Sequence, residues 1–441
     1  MGQYELITVT AVVFGTVWTG VNFYHLYPFV QFYIAAPVVG ASRDVYARPP
    51  AAWPPADADL PSIDVLIPAY EEPTVISQSV RSVLNADYPG RLTVTVLLEP
   101  DDNETMRALD DIKGAFDRLV VPADYPGEPN KPRALNYGFA HTDGDVVGVV
   151  DAEDIVDPDV FRAASYAFVT TGVDYAQGKL DMVNEGDGWR NLVFRAEYAY
   201  WYRLLLPAFH YVGYPVPLGG TTNFVRRTVL ENVSHRRQDI YDDVLGENAP
   251  KWVPWGPQNV TEDFELGLFL WLEGYDLALL DVTTREESPV AVNAWVRQRT
   301  RWQKGKVYTF VQYIRNPPSG LRARIHTTTQ SILPHLAPVN IAGIVILAMV
   351  ANAVSHRLSL GIGAVLSLSL AFAIEMLAVY VLGYVLVSER RTTIRAARAP
   401  VVALATLPYW VLLWGAELRA MKQTYLNDHT WEKTAHQGRN R

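Results

Sequence analysis

The amino-acid sequence predicts an α/β domain with a mostly parallel sheet, inserted between transmembrane helices and followed by amphipathic helices at the membrane interface. Between residues 62 and 150, short apolar segments alternate with segments of helical periodicity, which is typical of βαβ units. Residues 6–36 are almost free of charge, and further apolar runs follow residue 336. Because about 20 apolar residues suffice to cross a bilayer, both ends of the chain are candidates for membrane spans.

The composition excludes several classes of protein. The 441 residues carry a formal net charge of −9, which argues against a nucleic-acid partner because phosphate binding needs a basic surface. The absence of Cys excludes disulfides, thiolate metal sites and a Cys nucleophile. A hydrophobic content of 49%, with 12% aromatic residues, is too high for a disordered chain.

Residues 1–40 are predicted to contain one transmembrane helix. A cleaved signal peptide is the alternative, and it is disfavoured because no basic segment precedes the apolar run, which is also longer than a signal peptide's apolar core. Residues 41–61 include the segment PPAAWPPADADLP, which predicts a Pro-rich linker because Pro fits neither helix nor strand interiors.

The α/β domain is predicted to begin at residue 62. Its elements are predicted in the order strand 63–68, helix 74–84, strand 92–98, helix 102–116, strand 118–121, helix 134–141 and strand 145–150. Ligands of parallel sheets bind at the carboxyl ends of the strands. We therefore expect the acid-containing segments Pro68–Glu72, Glu99–Asp102 and Asp151–Asp154 to meet at one edge. Neither a P-loop nor a G-x-G-x-x-G segment follows the first strand.

Three acidic residues directly after the strand 145–150 are candidate metal ligands. Asp151, Glu153 and Asp154 supply the carboxylate oxygens that Mg²⁺ or Mn²⁺ prefers, and either of the last two could be the second ligand. The alternative is an acidic turn and helix cap on the surface. The bare pattern favours the turn. The position of these residues at the predicted ligand edge makes the metal site about equally favoured.

Two further segments carry residues that could take part in catalysis or binding. Thr261–Asp263 stands at a predicted helix start, where it is either a capping box or the location of a general base, Asp263. Gln298–Trp302 precedes residues 303–335, which are predicted to form basic amphipathic helices at the membrane interface. Lys131 and Asn136 belong either to an ordinary loop and helix start, or to a site in which Lys131 faces a diphosphate.

Residues 336–416 are predicted to form about three membrane helices. The candidate runs are Ala337–Val354, Leu360–Val387 and Pro400–Trp414, of which the last is short and contains a Pro, so that a buried core helix is an alternative for it. The Arg-rich loop between the second and third runs predicts a multi-pass protein of the cell membrane whose α/β domain is cytoplasmic. The tail, residues 417–441, is basic, so either the third run is re-entrant or interfacial, or the tail departs from the positive-inside rule.

Seven segments in this order resemble the motifs of glycosyltransferase family 2, in its membrane-embedded branch of cellulose, hyaluronan, chitin and curdlan synthases. They are Ile67–Glu72, Glu99–Asp102, Lys131–Asn136, Asp151–Glu153, Gly219–Asn223, Thr261–Asp263 and Gln298–Trp302. The resemblance covers residues 62–305. The tail segment Trp431–His436 resembles one that is cytoplasmic in relatives, which favours the re-entrant alternative. Two departures are Glu153, where many relatives have Asp, and about four spans, fewer than in the well-known synthases.

The resemblance implies a Rossmann-like GT-A fold over residues 62–302, with a nucleoside diphosphate sugar, expected to be a UDP-hexose, as donor. The residues implied in donor binding are Ala69, Tyr70, Glu72, Asp101, Asp102, Lys131, Asp151, Gln298 and Arg301. The residues implied in acceptor binding are Trp302, Gly220, Thr221 and Asn223. The implied catalytic residues are Asp263 as base, with Glu262 and Arg301, beside a Mg²⁺ or Mn²⁺ ion.

The resemblance implies an inverting, metal-dependent transfer of a hexose to a growing polysaccharide or glycan. The alternative is transfer of a single sugar to a lipid phosphate, as in dolichyl-phosphate sugar synthases. The expected partners are the donor, a glycan or lipid-linked acceptor and the lipid bilayer, without nucleic acid. Assembly into a homo-oligomer is left open by the sequence.

Overall fold

An eight-stranded sheet forms the centre of the computed structural model. Its strands are β1 (Tyr46–Ala47), β2 (Ile63–Ala69), β3 (Leu92–Leu98), β4 (Asp117–Val120), β5 (Val146–Val149), β6 (Tyr175–Met182), β7 (Asn223–Arg226) and β8 (Leu277–Glu286). The spatial order is β1-β8-β6-β7-β5-β2-β3-β4. Strand β7 runs antiparallel to β5 and β6, and every other pairing is parallel. The predicted mostly parallel sheet is therefore confirmed.

The structure describes residues 45–55, 58–184, 188–245, 250–332 and 392–426, with isolated positions between 367 and 385 and at 428, 432 and 433. The predicted span within residues 6–36 and the two runs between 337 and 387, apart from those isolated positions, lie outside the described residues.

Eleven helices are labelled along the described chain. They are α1 (Ile76–Leu84), α2 (Asn103–Ala108), α3 (Lys131–Phe139), α4 (Val160–Tyr166), α5 (Trp189–Tyr200), α6 (Leu206–Tyr211), α7 (Arg227–Leu245), α8 (Glu262–Leu272), α9 (Val292–Arg315), α10 (residues 321–332) and α11 (Thr392–Tyr425).

Helices cover both faces of the sheet, which explains the unbroken apolar runs of its central strands. In β2, Val65 and Ile67 belong to the core cluster that includes α1. Leu66, which points to the opposite face, belongs to the cluster that includes Leu135 and Phe139 of α3. The sheet is thereby held rigid beneath the loops that follow its strands.

Three local features differ from the sequence prediction. The helix predicted at 102–116 ends at Ala108 and is followed by a short 3₁₀ turn. Helix α3 begins three residues earlier than expected, because the Asn130 side chain accepts a hydrogen bond of 2.8 Å from the Arg133 N–H and caps the first turn. Strand β1, inside the predicted linker, pairs with β8 at the sheet edge.

Helix α11 contains the third predicted membrane run. It continues through Pro400 and Pro408 to a length of 34 residues. Among the described residues, only its part from Arg398 to Tyr425 is long and apolar enough to cross a membrane. One face is buried against α9 and α5, for example at Ala405 and Tyr409. The run is thus part of a longer helix that packs along the α/β domain.

Candidate active site

A cavity of about 820 Å³ opens where β2, β3 and β5 end and β7 begins. The acid-containing segments therefore meet at a hollow in the protein surface, at the edge where the sequence predicts a ligand. Fourteen residues predicted from the sequence line it, namely Ala69, Tyr70, Glu72, Asp101, Lys131, Asp151, Glu153, Gly220, Thr221, Glu262, Asp263, Gln298, Arg301 and Trp302.

The geometry around Gly220 brings the most reactive groups together. A β-carbon placed on Gly220 would lie 3.2 Å from Asp151 Oδ2, 3.3 Å from Lys131 Nζ and 3.5 Å from Asp263 Oδ2. The carboxylates of Asp151 and Asp263, which are 112 positions apart in the sequence, therefore face the same space. Glycine leaves that space free because it has no side chain.

Lys131, the first residue of α3, connects these groups. Its ammonium donates to Asp151 Oδ1 at 2.5 Å and to the Gly220 carbonyl at 2.7 Å, and it lies 3.4 Å from Glu262 Oε1. Burial alone would lower the pKa of Lys131, but the charges of Asp151, Glu262 and Asp263 raise it above its usual value. The lysine therefore remains a fixed positive charge at neutral pH.

The carboxylates of the cavity outweigh its cations. Burial, reinforced by the Asp263 charge, raises the pKa of Glu262 to about 7, even though Lys131 opposes the shift. Burial also raises the pKa values of Asp263 and Asp151 against the opposing charges of Lys131 and Arg301. A site in which several acids resist ionisation favours a ligand or ion that brings positive charge.

The β2 and β3 ends form a second, more open region. The Tyr70 hydroxyl donates to Asp101 Oδ2 at 3.4 Å, and the Tyr70 side chain is 42% exposed. Glu72 is buried, and its carboxylate lies 3.5 Å from the ammonium of Lys433. Lys433 also donates to the Glu71 carbonyl. A residue of the C-terminal tail thus reaches this end of the cavity.

Helices α8 and α9 supply the opposite wall. Thr261 occupies the N-cap position of α8 without capping it, since its hydroxyl donates to Asn259 Oδ1 at 3.2 Å. The capping-box interpretation of this segment is therefore wrong. On α9, the Arg301 guanidinium donates to the Val260 carbonyl at 3.2 Å. The Gln298 side chain lines the cavity, and its carbonyl oxygen has no hydrogen-bond partner within the described part of the chain.

Three predicted site residues do not line the cavity. Asp102 caps α2, accepting from the Thr105 N–H at 3.2 Å. Asn223 donates to the Gly219 carbonyl at 2.9 Å and so holds the loop before β7. Asp154 is fully buried, and burial with the charges of Glu286 and Glu153 raises its pKa well above the usual range. In this structure the three side chains make contacts within the protein instead of lining the cavity.

Asn136, which the sequence left between a structural and a functional role, is structural. It donates to the Trp255 carbonyl at 2.9 Å and accepts from the Trp255 N–H at 3.0 Å. This paired contact fixes α3 against the segment before α8.

Sequence reasoning missed an aromatic wall and its support. Tyr198, Trp201 and Tyr202 line the cavity beside Trp302, which the sequence did predict. The ring centroids of Tyr198 and Trp302 are 6.3 Å apart. The aromatic run EYAYWY at residues 197–202 is a signal that could have indicated these residues, because Tyr198 and Tyr202 stand four positions apart on one helical face.

Two buried ion pairs beside the cavity were also missed. Arg299 binds Glu197 with both terminal nitrogens, at 3.0 and 2.6 Å, and its guanidinium lies 4.6 Å from the centre of the Trp302 ring. Arg133 pairs with Glu99 at 3.2 Å. Nothing in the spacing of these residues predicts the pairs, because they join different elements.

Curated relatives match a large part of the chain at low identity. The probable glycosyltransferase YdaM of Bacillus subtilis is 24% identical over 272 residues, 59% of this chain and 59% of that protein. The beta-monoglucosyldiacylglycerol synthase of Trichormus variabilis is 25% identical over 313 residues, 69% of this chain and 62% of that protein. An N-acetylglucosaminyltransferase of Rhizobium meliloti is 24% identical over 271 residues, 59% of this chain and 60% of that protein. The chain thus spans about three-fifths of the length of these relatives.

A solved structure shares the fold over nearly the whole chain. The mannosyltransferase of Pyrobaculum calidifontis, determined with GDP-mannose and Mn²⁺, superposes with a TM-score of 0.56 and 15% identity, covering 96% of this chain and 99% of that one. The expected GT-A-like fold is therefore confirmed. The model of the family described as glycosyltransferase-like family 2 matches residues 61–305, more than half of the 441 residues, and the chain therefore belongs to that family.

Proposed function

We propose that the protein transfers a hexose, with inversion, from a nucleoside diphosphate sugar to an acceptor hydroxyl, and that it needs a divalent metal ion. The observation that carries the proposal is the convergence of Asp151, Lys131 and Asp263 on the space beside Gly220. A transfer of this kind needs positive charge at the departing diphosphate and a base beside the incoming hydroxyl. These three side chains offer both in one cavity.

The donor occupies the half of the cavity beneath β2 and β3 in this proposal. Tyr70 and Asp101 stand at its open end, where an aromatic ring and a carboxylate suit a uracil base and a ribose. Lys131 lies deeper and holds the diphosphate. The ammonium then exchanges its contact with Asp151 for phosphate oxygens, which are comparably strong acceptors.

The chemistry of the donor set fits a Mg²⁺ or Mn²⁺ ion. Asp151 and Glu153 offer carboxylates on the cavity wall, and the acids there exceed the cations. Among the described residues, no three His, Asp or Glu side chains form a complete ion site by themselves. Phosphate oxygens of the donor would complete the coordination, as Mg²⁺ commonly requires. When bound, the ion neutralises charge on the departing diphosphate.

Asp263 acts as the general base. Its carboxylate faces the reacting space, and its raised pKa makes it a better proton acceptor than an exposed Asp. It takes the proton from the acceptor hydroxyl as that oxygen attacks the anomeric carbon opposite the leaving group. Arg301 stabilises the negative charge that builds up on the departing diphosphate. Glu262 holds Lys131 in place from 3.4 Å.

The acceptor is a glycan in this proposal. The aromatic wall of Tyr198, Trp201, Tyr202 and Trp302 suits the apolar face of a sugar ring, which packs on aromatic side chains. Gly220 and Thr221 border the same space. Extension of a polysaccharide would use this wall to hold the chain between successive transfers.

A second candidate, transfer of one sugar to a lipid acceptor such as a lipid phosphate, is favoured by the outer face of α11. Large apolar side chains there remain exposed, among them Val401, Leu404, Leu407, Val411 and Leu418. Such a face fits the hydrocarbon of a bilayer, beside which the α/β domain would lie on the cytoplasmic side. One relative is named for glucosylation of a diacylglycerol.

The proposal is tested with the purified full-length protein. Release of the nucleoside diphosphate is measured from a panel of UDP- and GDP-hexoses in the presence of glycan and lipid acceptors, with Mn²⁺, with Mg²⁺ and with a chelator, and the products are weighed by mass spectrometry. A ladder of products supports the glycan acceptor, and a single addition to lipid supports the second candidate. Failure to release any nucleoside diphosphate from UDP- or GDP-sugars would refute the proposed function.

A further inference from the structure

One lysine of the cavity has no role in the reaction described above. Lys306 lies on α9, one turn beyond Trp302, and its side chain lines the cavity. Its ammonium makes no hydrogen bond or ion pair with any described residue, and it lies 5.8 Å from the centre of the Phe264 ring. Phe264 directly follows the proposed base, so Lys306 stands at the acceptor side of the cavity.

The acids that act on Lys306 do not pair with it directly. Arg299 is the cation that acts on it, and Glu197, Glu417 and Asp263 are the acids that act on it. Glu197 is already bound by the two terminal nitrogens of Arg299 and by the Tyr409 hydroxyl. Burial and the Arg299 charge lower the pKa of Lys306 to about 8, so that a bound anion would stabilise the charged form.

A neighbouring lysine on α9 does have a hydrogen-bond partner for its ammonium. Lys304, two residues earlier, points to the other side of α9 and donates to the Asp428 carbonyl at 3.0 Å. Lys306, in contrast, directs a positive charge into a cavity that has aromatic side chains on the same wall. A neutral sugar chain would leave that charge half-buried without a partner, at a cost in free energy.

We propose that Lys306 binds an anionic group of the acceptor, a phosphate or a carboxylate, at or beside the group that receives the sugar. This inference rests on the proposed sugar transfer and refines its acceptor class. A lipid phosphate and an acidic sugar share this chemistry. They differ in whether the anion is attached to a hydrocarbon chain or to a pyranose ring.

The experiment compares matched acceptors in the full-length protein with a saturating donor. One pair is a polyprenyl phosphate and the polyprenol of the same length, and the other is a glucuronate-terminated and a glucose-terminated oligosaccharide. Lys306→Met is compared with Lys306→Arg, which keeps the charge. Lys422→Met is the control because it removes an exposed lysine from α11.

We expect Lys306→Met to lower kcat/KM about ten-fold for the anionic member of one pair and to leave the neutral member within about two-fold, a difference typical of one charge-assisted contact. Lys306→Arg retains the preference, and Lys422→Met leaves it unchanged. The pair that responds identifies the source of the anion. An equal effect on both members of each pair, or no effect on either pair, would overturn the inference.

Release of UDP in the presence of all four acceptors separates this inference from the proposed function. A wild-type protein that releases UDP while Lys306→Met transfers normally to all acceptors leaves sugar transfer intact and refutes only the role of Lys306. A wild-type protein that releases nothing refutes both.

Discussion

Replacement of Gly305 by Ala tests whether the close crossing of α8 and α9 sets the geometry of the reaction. A β-carbon on Gly305 would lie 2.7 Å from Cβ and Cγ2 of Thr261, and closer still to its hydroxyl. Carbon atoms pack at roughly 3.5–4.0 Å, so the two helices must separate by about 1 Å. Overpacking of this kind costs about 1–3 kcal/mol. A displacement of about 1 Å between reacting groups lowers the rate about 10²-fold.

Gly415→Ala is the matched control, because Gly415 is also helical but, in the part of the chain that the structure describes, no atom beyond its own turn of helix lies within 4 Å of its β-carbon position. This variant is expected to gain up to about 1 kcal/mol from helix propensity alone. The assays are the melting temperature and the rate of transfer at saturating donor. If Gly305→Ala melts and transfers like the wild type while Gly415→Ala behaves as expected, the crossing does not position Asp263 against Arg301.

Three further predictions concern the base, the cavity lysine and a buried ion pair. Asp263→Asn should lower kcat about 10²–10⁴-fold while calorimetry shows unchanged donor binding, and an unchanged kcat would remove Asp263 as the base. Since the pKa of Lys306 is lowered to about 8, the lysine loses its charge above that pH, and kcat/KM for an anionic acceptor should fall there while that for its neutral partner does not. Glu265→Ala removes the carboxylate that lies 2.8 Å from the buried guanidinium of Arg237 and balances its charge, and should cost about 3–5 kcal/mol in denaturant unfolding. The comparison is the more exposed ion pair between Arg236 and Glu273. Glu273→Ala should lower the free energy of unfolding by less than about 1 kcal/mol.

The first half of the α/β domain could be predicted because its pattern is local. Strands β2, β3 and β5 are apolar runs, and the helices between them repeat with helical spacing. The later strands could not be predicted from a local sequence pattern. Strand β7 has only four residues, and its antiparallel place between β5 and β6 depends on the loop at Gly219–Thr222.

The candidate site was predictable where a residue directly follows a strand, and unpredictable where a turn decides its direction. Asp151 follows β5 and lines the cavity, as expected. Glu153 and Asp154 are neighbours with the same chemistry, yet only Glu153 reaches the cavity wall, since the turn buries Asp154 completely. A sequence does not distinguish two adjacent carboxylates, because the backbone path of one turn sets which of them points outward.

Helix α9 presents one face to the cavity and the opposite face to α11. Gln298, Arg301 and Trp302 stand at positions i, i+3 and i+4, so a helix places them on one face, and all three line the cavity. Thr300 lies on the opposite face, where its hydroxyl donates to the Ala416 carbonyl of α11 at 3.3 Å. Thr300 therefore serves the packing of α9 against α11 rather than the cavity.

The same face extends one turn further, to positions i+7 and i+8. Gly305 at i+7 permits the close approach of α8, and Lys306 at i+8 lines the cavity again. Helical periodicity, continued beyond Trp302, therefore places Lys306 with the site residues from the sequence alone. The basic stretch after Trp302 was interpreted as an interfacial helix, but its lysines divide between two faces. Lys304 turns to the C-terminal tail, and Lys306 turns to the acceptor side of the cavity.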